Sequence, residues 1–216
     1  MDRKKAQKIY RILQKIYPKA TTALIHKDPF QLLVATILSA QCTDVRVNMV
    51  TKGLFKKYRD PGDFAQADSK ALEDQIKSTG FYKNKAKNII AASKMIIRQF
   101  GGRVPQAMEE LVQLPGVARK TANIVLFHGF NKNEGIAVDT HVKRLSGRLH
   151  LSGHTYPVKI EKDLMELFPR DEWGLLTNLF IAHGRKVCSA RKPSCQECAL
   201  NKLCPSAKDL YPEVFK

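Results

Sequence analysis

The sequence lacks any long, uninterrupted run of apolar residues. Its longest apolar stretch, residues 30–40, is broken by Gln31, Thr36 and Ser39, whereas a membrane-spanning helix needs about 18 consecutive apolar residues. The N-terminus has an amphipathic helix pattern where a signal peptide would have an apolar core. We therefore expect no membrane attachment and a cytoplasmic location, in which cysteines stay reduced and serve as ligands or nucleophiles.

Acidic residues are scarce relative to basic ones. The 216 residues include 20 Asp and Glu against 37 Lys and Arg, which gives a formal net charge of +17. An excess of this size favours a polyanionic partner, with nucleic acid first and an anionic membrane second. A basic protein that is merely soluble and has no such partner is the less favoured alternative.

Strand-type alternation of apolar and polar residues is nearly absent, and no repeat or low-complexity segment is found. Apolar residues instead recur at helical spacing, as Ile9, Ile12 and Ile16 do. The sequence therefore predicts an all-α fold, with a polar connector near residues 131–135 as a candidate domain boundary. The predicted helices cover residues 2–17, 29–40, 43–58, 69–77, 84–99, 107–113, 119–129, 140–149, 157–167 and 172–184.

Four of the five cysteines lie close together near the C-terminus, in the order Cys188, Cys195, Cys198 and Cys204. Four thiolates at such spacing can enclose one tetrahedral metal centre. A [4Fe–4S] cluster and a structural zinc ion both suit this donor set, and the spacing rule alone does not choose between them. The fifth, Cys42, is interpreted as a core residue.

The loop between the first two of these cysteines carries Arg191 and Lys192. A bound metal would make this loop rigid, so that it loses less entropy on binding a phosphate. Contact with a nucleic-acid phosphate and ordinary solvation are equally favoured for the two side chains.

The segment from Leu114 to Lys120 predicts a tight turn that leads into a helix. Pro115 fixes its own φ and disfavours a helical conformation at Leu114, and Gly116 permits a conformation that side chains resist. With the predicted helices on either side, this is a helix-hairpin-helix motif whose free N–H groups can hold a DNA phosphate. By itself the motif indicates binding to a nucleic-acid backbone, without chemistry.

Lys120 adds a possible amine nucleophile in the first turn of the second helix. The helix dipole and partial burial would both favour its neutral form, although a plain phosphate-binding lysine is the alternative. Nineteen residues later, Asp139 precedes a predicted helix and is expected to be its N-cap, which is compatible with a catalytic carboxylate. His141 is interpreted as structural or as a contact to the nucleic-acid backbone.

At these residues the chain resembles bacterial endonuclease III, a family of helix-hairpin-helix DNA glycosylases and AP lyases. The resemblance implies two helical domains flanking a DNA-binding cleft: a six-helix bundle with the helix-hairpin-helix (residues 21–131) and an iron–sulfur cluster domain (residues 1–20 and 132–216). The motifs that carry it run in family order: LSAQCTD at 38–44, STGFY at 78–82, LPGVARKTA at 114–122, VDTH at 138–141, HGR at 183–185, and the four cysteines.

The resemblance also implies an activity on damaged double-stranded DNA, in a monomeric, nucleoid-associated enzyme. The expected reaction removes oxidised pyrimidines through a lysine Schiff base and cleaves 3′ to the abasic site by β-elimination. The resemblance matches Lys120 and Asp139 to the family's catalytic lysine and aspartate, and it matches the cysteine spacing to that of a [4Fe–4S] cluster. The residues expected to bind DNA are Gln41, Phe81, Leu114, Gly116, Val117, Ala118, Arg119, Thr121, His141, Arg191 and Lys192.

Two positions depart from the family pattern. Phe81 stands where the family places an apolar wedge that is commonly leucine, and a larger ring can still enter between bases. Ala118 replaces the second glycine of the hairpin, and we expect this position to be already helical, where alanine is well accommodated.

Three alternatives to this function stand beside it. A monofunctional mismatch glycosylase of the same superfamily is disfavoured by Lys120, which such relatives typically lack. The adenine-specific ones among them also typically carry an extra C-terminal domain. A non-catalytic DNA-binding protein or an electron carrier built on the cluster would leave the pair of Lys120 and Asp139 without a purpose.

Overall fold

The computed structural model describes residues 2–210 and 212, and these residues contain helices and loops but no β-strand. The all-α prediction is therefore confirmed. The α-helices are α1 (Arg3–Ile16), α2 (Pro29–Leu38), α3 (Asp44–Lys57), α4 (Pro61–Ala65), α5 (Ser69–Ile76), α6 (Tyr82–Phe100), α7 (Met108–Leu111), α8 (Arg119–Phe130), α9 (Thr140–Arg148), α10 (Pro157–Leu167), α11 (Trp173–Lys186) and α12 (Pro205–Leu210).

The chain divides into two compact units, each with its own hydrophobic core. The bundle unit is Thr22–Lys132, and the cysteine-rich unit is formed by Met1–Thr21 and Asn133–Lys216. In the bundle unit, the residues of α2 from Phe30 onward are all buried, because α2 packs against both α8 and α3. In the cysteine-rich unit, α1 and α9 both pack against α11.

Short polar side chains fix where several helices begin. Asp28 and Thr43 precede α2 and α3, and each accepts a hydrogen bond from a backbone N–H three residues on, as N-cap residues do. Pro29 then occupies the first position of α2, where its missing N–H costs nothing. These starts agree with the predicted helices to within one residue.

Two short helices were not predicted, and one predicted helix is shorter than expected. α4 and α12 have five and six residues, which is too few to show helical periodicity. α7 covers one turn only, because the chain leaves helical geometry towards the turn at Leu114–Val117. None of the helices formed by residues 2–210 is both long and apolar enough to cross a membrane.

Candidate functional site

The turn between α7 and α8 is anchored by apolar side chains and exposes its glycine. Leu114 and Val117 are buried, and the Val117 N–H donates to the Leu114 carbonyl oxygen at 3.0 Å. Gly116 lies at the surface with φ +81°, and a Cβ there would approach the Asn88 side chain to 2.9 Å. Both the positive φ and the close approach of the Asn88 side chain therefore require glycine at this position.

The start of α8 has no side-chain cap. Ala118 is the N-cap residue, with φ −89° and ψ 167°, and it makes no side-chain cap hydrogen bond. The prediction that Ala118 is helical is therefore wrong. Its extended conformation is nonetheless one that alanine adopts freely, and the first amides of α8 lie next to the exposed Gly116.

Lys120 lies in the first turn of this helix, as predicted, and it is exposed. Arg119 is exposed as well, and Thr121 is half-buried. The α8 N-terminus therefore presents two cationic side chains beside a glycine-containing turn, which is a surface suited to a phosphate backbone.

Gln41 and Phe81 share an uncommon backbone conformation. Both lie in the left-handed region, with φ of 54° and 49° respectively, and both are exposed. Phe81 is 63% exposed even though it is a large apolar residue. Non-glycine residues in this conformation are uncommon and often mark functional loops.

Asp139 caps α9 and is held in place by that contact. The Val142 N–H donates to Asp139 Oδ1 at 2.8 Å, which confirms the predicted N-cap. The residues from Ile136 to Val138 are buried and hold the chain before the cap. The carboxylate itself is half-buried and therefore reaches the surface in a defined position.

His141 lies in a network that joins α9 to α11. Its Nδ1 lies 3.0 Å from Nη2 of Arg144, which also donates to the Gly184 carbonyl oxygen at 3.0 Å. A Cβ at Gly184 would lie 2.7 Å from His141 Nδ1. The glycine of the HGR motif thus allows this close approach, and Arg144 is a residue of the network that sequence reasoning did not single out.

The four clustered cysteines line one cavity in the cysteine-rich unit. Burial raises the pKa of Cys198 to about 11 and also raises the pKa values of Cys195 and Cys204. Metal coordination would deprotonate such thiols outright. Within residues 2–210 and 212, no group of three His, Cys, Asp or Glu side chains has the arrangement that holds a single metal ion.

Two basic side chains contact the sulfur atoms of this cavity. Arg148 Nη1 donates to Cys188 Sγ at 3.1 Å, and His183 Nε2 lies 3.4 Å from Cys198 Sγ. His183 is buried, which lowers its pKa to about 4, and its Nδ1 is 3.1 Å from the Tyr17 hydroxyl oxygen. Hydrogen bonds of this kind orient metal ligands and adjust their donor strength. The sequence gives no local signal for Arg148, which lies forty residues before Cys188.

The loop from Cys188 to Cys195 places Arg191 and Lys192 on the surface. Both side chains are exposed, while the Ser189 hydroxyl donates to the Lys192 carbonyl oxygen at 2.5 Å. Arg148 Nη2 also donates to the Ala190 carbonyl oxygen at 2.9 Å. These hydrogen bonds therefore hold the loop backbone in place, while its two basic side chains face solvent.

Comparison with known proteins places these features in one family. A model of HhH-GPD superfamily base excision DNA repair proteins matches residues 34–170. The endonuclease III of Synechocystis sp. is 56% identical over 206 residues, covering 95% of this chain and 94% of its own.

Two solved structures show the same fold over nearly the whole chain. One is a non-covalent endonuclease III–DNA complex, with a TM-score of 0.94, 41% identity, and coverage of 99% of this chain and 100% of that one. The other is a trapped covalent endonuclease III–DNA intermediate, with a TM-score of 0.92, 42% identity, and coverage of 97% and 98%. The chain therefore belongs to the endonuclease III family of bifunctional DNA glycosylases and AP lyases, which act in base excision repair.

Proposed function

We propose that this chain removes oxidised pyrimidines from double-stranded DNA, with Lys120 as nucleophile and Asp139 as proton acceptor. The neutral amine of Lys120 attacks C1′ of the damaged nucleotide, and the bond from C1′ to the base breaks. Asp139 accepts a proton from the attacking amine, directly or through water, and stabilises positive charge on the sugar. Opening of the sugar ring then breaks the C1′–O4′ bond and O4′ takes up a proton, so that C1′ and the lysine nitrogen form a Schiff base. The Schiff base acidifies the C2′ proton, and loss of that proton breaks the 3′ C–O bond, with the 3′ phosphate as the leaving group.

One observation carries this proposal: an exposed lysine lies in the first turn of α8, a helix that begins without a side-chain cap, next to a turn whose exposed glycine has φ +81°. A phosphate held by the uncapped amides would place the neighbouring sugar within reach of the lysine. Relatives of this chain include an endonuclease III trapped covalently on DNA, which supports a covalent mechanism.

The remaining DNA contacts are proposed for surfaces of both units. The damaged base leaves the stack, so its place must be filled, and Gln41 and Phe81 have the exposure and the fixed backbone for this task. The residues proposed to hold the backbone are Leu114, Gly116, Val117, Ala118, Arg119, Thr121, His141, Arg191 and Lys192. We further propose that the enzyme acts as a monomer in the cytoplasm, on the nucleoid, and that residues 21–131 form its helix-hairpin-helix domain.

The proposed cofactor is a [4Fe–4S] cluster bound by Cys188, Cys195, Cys198 and Cys204. Their thiols line one cavity, and the contacts of Arg148 and His183 with sulfur are typical of cluster surroundings. When bound, the cluster would fix the fold of residues 188–204 and thus the position of Arg191 and Lys192.

Iron analysis tests the cofactor. We expect about four iron and four sulfide per chain in protein purified without oxygen, because four thiolates saturate one cubane cluster. Cys198→Ser should lower the iron content, whereas Cys42→Ser, outside the cavity, should not. Stoichiometric zinc without iron would contradict the assignment.

Ala118 provides a test of the hairpin contact. We expect Ala118→Gly to change the Kd for abasic-site DNA by less than about threefold, which is under about 1 kcal/mol, because alanine already adopts the observed extended conformation. Ala118→Leu should weaken binding by more than about tenfold, since its larger side chain obstructs a phosphate at the α8 amides. Tighter binding by Ala118→Gly of tenfold or more would show that the methyl group obstructs the contact.

Borohydride trapping tests the function as a whole. When the protein is incubated with abasic-site DNA and borohydride, borohydride should reduce the Schiff base to a stable covalent adduct. When borohydride is omitted, the reaction should proceed to a strand nicked 3′ to the abasic site. Wild-type protein that binds the DNA but forms neither adduct nor nick would refute the lyase and favour a monofunctional glycosylase or a plain binding protein.

A further inference from the structure

A buried lysine ties together the two loops that carry Gln41 and Phe81. Lys85 lies in the first turn of α6 and is only 5% exposed. Its Nζ donates to the Leu38 carbonyl oxygen at 2.7 Å and to the Thr79 carbonyl oxygen at 2.8 Å. Leu38 lies three residues before Gln41, and Thr79 lies two residues before Phe81.

The backbone of Lys85 adds a third contact to the same region. Its N–H donates to the Phe81 carbonyl oxygen at 3.1 Å. Lys85 therefore holds the chain on both sides of Gly80, which itself has φ +69°. The Leu38 carbonyl belongs to the last turn of α2, where carbonyl oxygens lack an intrahelical partner.

Packing alone does not call for a lysine at this position. Burial of an amine is costly, and burial lowers the pKa of Lys85 accordingly. An apolar side chain would fill the same space without that penalty. What the amine adds is a pair of directed hydrogen bonds, each of which ends just before a residue in the left-handed region. Such conformations persist only where the surroundings hold them.

We propose that Lys85 is a positioning residue for base extrusion, which holds the Gln41 and Phe81 loops at a fixed separation so that both enter the DNA together. This inference rests on the proposed roles of Gln41 and Phe81. Lys85 itself is buried, so it would act through these two loops and not by contact with DNA.

The test compares two substrates of identical sequence under single-turnover conditions: a duplex with a paired oxidised pyrimidine, and a duplex with a preformed abasic site. An abasic nucleotide is neither stacked nor paired through a base, so its extrusion costs less. We expect Lys85→Met to slow base excision by about 10- to 100-fold. Strand cleavage at the abasic site should slow by less than about threefold.

Two further variants make the comparison specific. Lys85→Arg retains N–H donors and should recover most of the lost excision rate. Lys94→Met removes an exposed lysine from the same helix and should behave as wild type. In the background of Gln41→Ala with Phe81→Ala, Lys85→Met should have little additional effect, because the residues it positions are gone.

Hydrogen exchange provides a readout that does not depend on activity. We expect faster exchange in Lys85→Met for peptides covering residues 38–42 and 78–82, with unchanged exchange in α8. If Lys85→Met does not fold, Lys85→Gln, whose polar side chain is too short to reach both carbonyl oxygens, takes its place in both measurements. Equal losses on the two substrates, no loss on either, or the same loss in Lys94→Met would overturn the inference. A wild-type protein that forms no borohydride adduct would instead refute the proposed function, so the two failures are distinguishable.

Discussion

Lys120→Gln is expected to lower the rate of base excision by at least about 1,000-fold and to abolish the borohydride-trapped adduct, because the amide cannot attack C1′ or form a Schiff base. The side chain is exposed, so its removal leaves no cavity and no unpaired buried group. The melting temperature should therefore stay within about 2 °C of the wild-type value. Single-turnover excision from a duplex with an oxidised pyrimidine measures the effect.

Arg119→Gln is the matched control for this variant. Arg119 is the adjacent exposed cation at the same helix end, and its loss should weaken DNA binding and lessen its salt dependence while the adduct still forms. An adduct of undiminished yield in Lys120→Gln would assign the nucleophile to another amine of this lysine-rich chain.

Asp139→Asn is expected to slow base excision by about 100-fold while the fold is unchanged. Asparagine caps helices as well as aspartate does, so the hydrogen bond from the Val142 N–H, 2.8 Å long in the wild type, is retained. The amide cannot accept the proton from the lysine amine. The expected result is thus a loss of rate without a loss of stability.

Asp139→Ala separates the two tasks of this side chain. It should show a similar loss of rate and in addition lose about 1 kcal/mol of helix stability, which lowers the melting temperature by about 2–4 °C for a chain of this size. If Asp139→Asn excises at the wild-type rate while Asp139→Ala does not, then Asp139 acts as a cap only.

Helix starts were predictable from the sequence because they depend on local chemistry. Asp139 caps α9 as expected, and Asp28 and Thr43 cap α2 and α3 next to the predicted helix starts, since an N-cap interacts with amides only two or three residues away. The turn at Gly116 was predictable for the same reason. α4, with five residues, was missed because one turn of helix has no periodicity to detect.

Contacts between residues far apart in the chain were not predictable. The hydrogen bond from Lys85 to Leu38 spans 47 residues, and that from Arg148 to Cys188 spans 40. A single sequence contains no pattern that pairs either residue with its distant partner. The sequence pattern placed Lys120 in the first turn of α8 but carried no information on its exposure, which depends on packing.

The most direct test of the account is to locate the covalent bond. Wild-type protein is trapped on abasic-site DNA with borohydride, digested, and the modified peptide is sequenced by mass spectrometry. We expect a sugar remnant on Lys120 alone, within the segment that follows the turn at Gly116. A remnant on another lysine, or on the α-amino group of the chain, would contradict the assignment of Lys120 as the nucleophile.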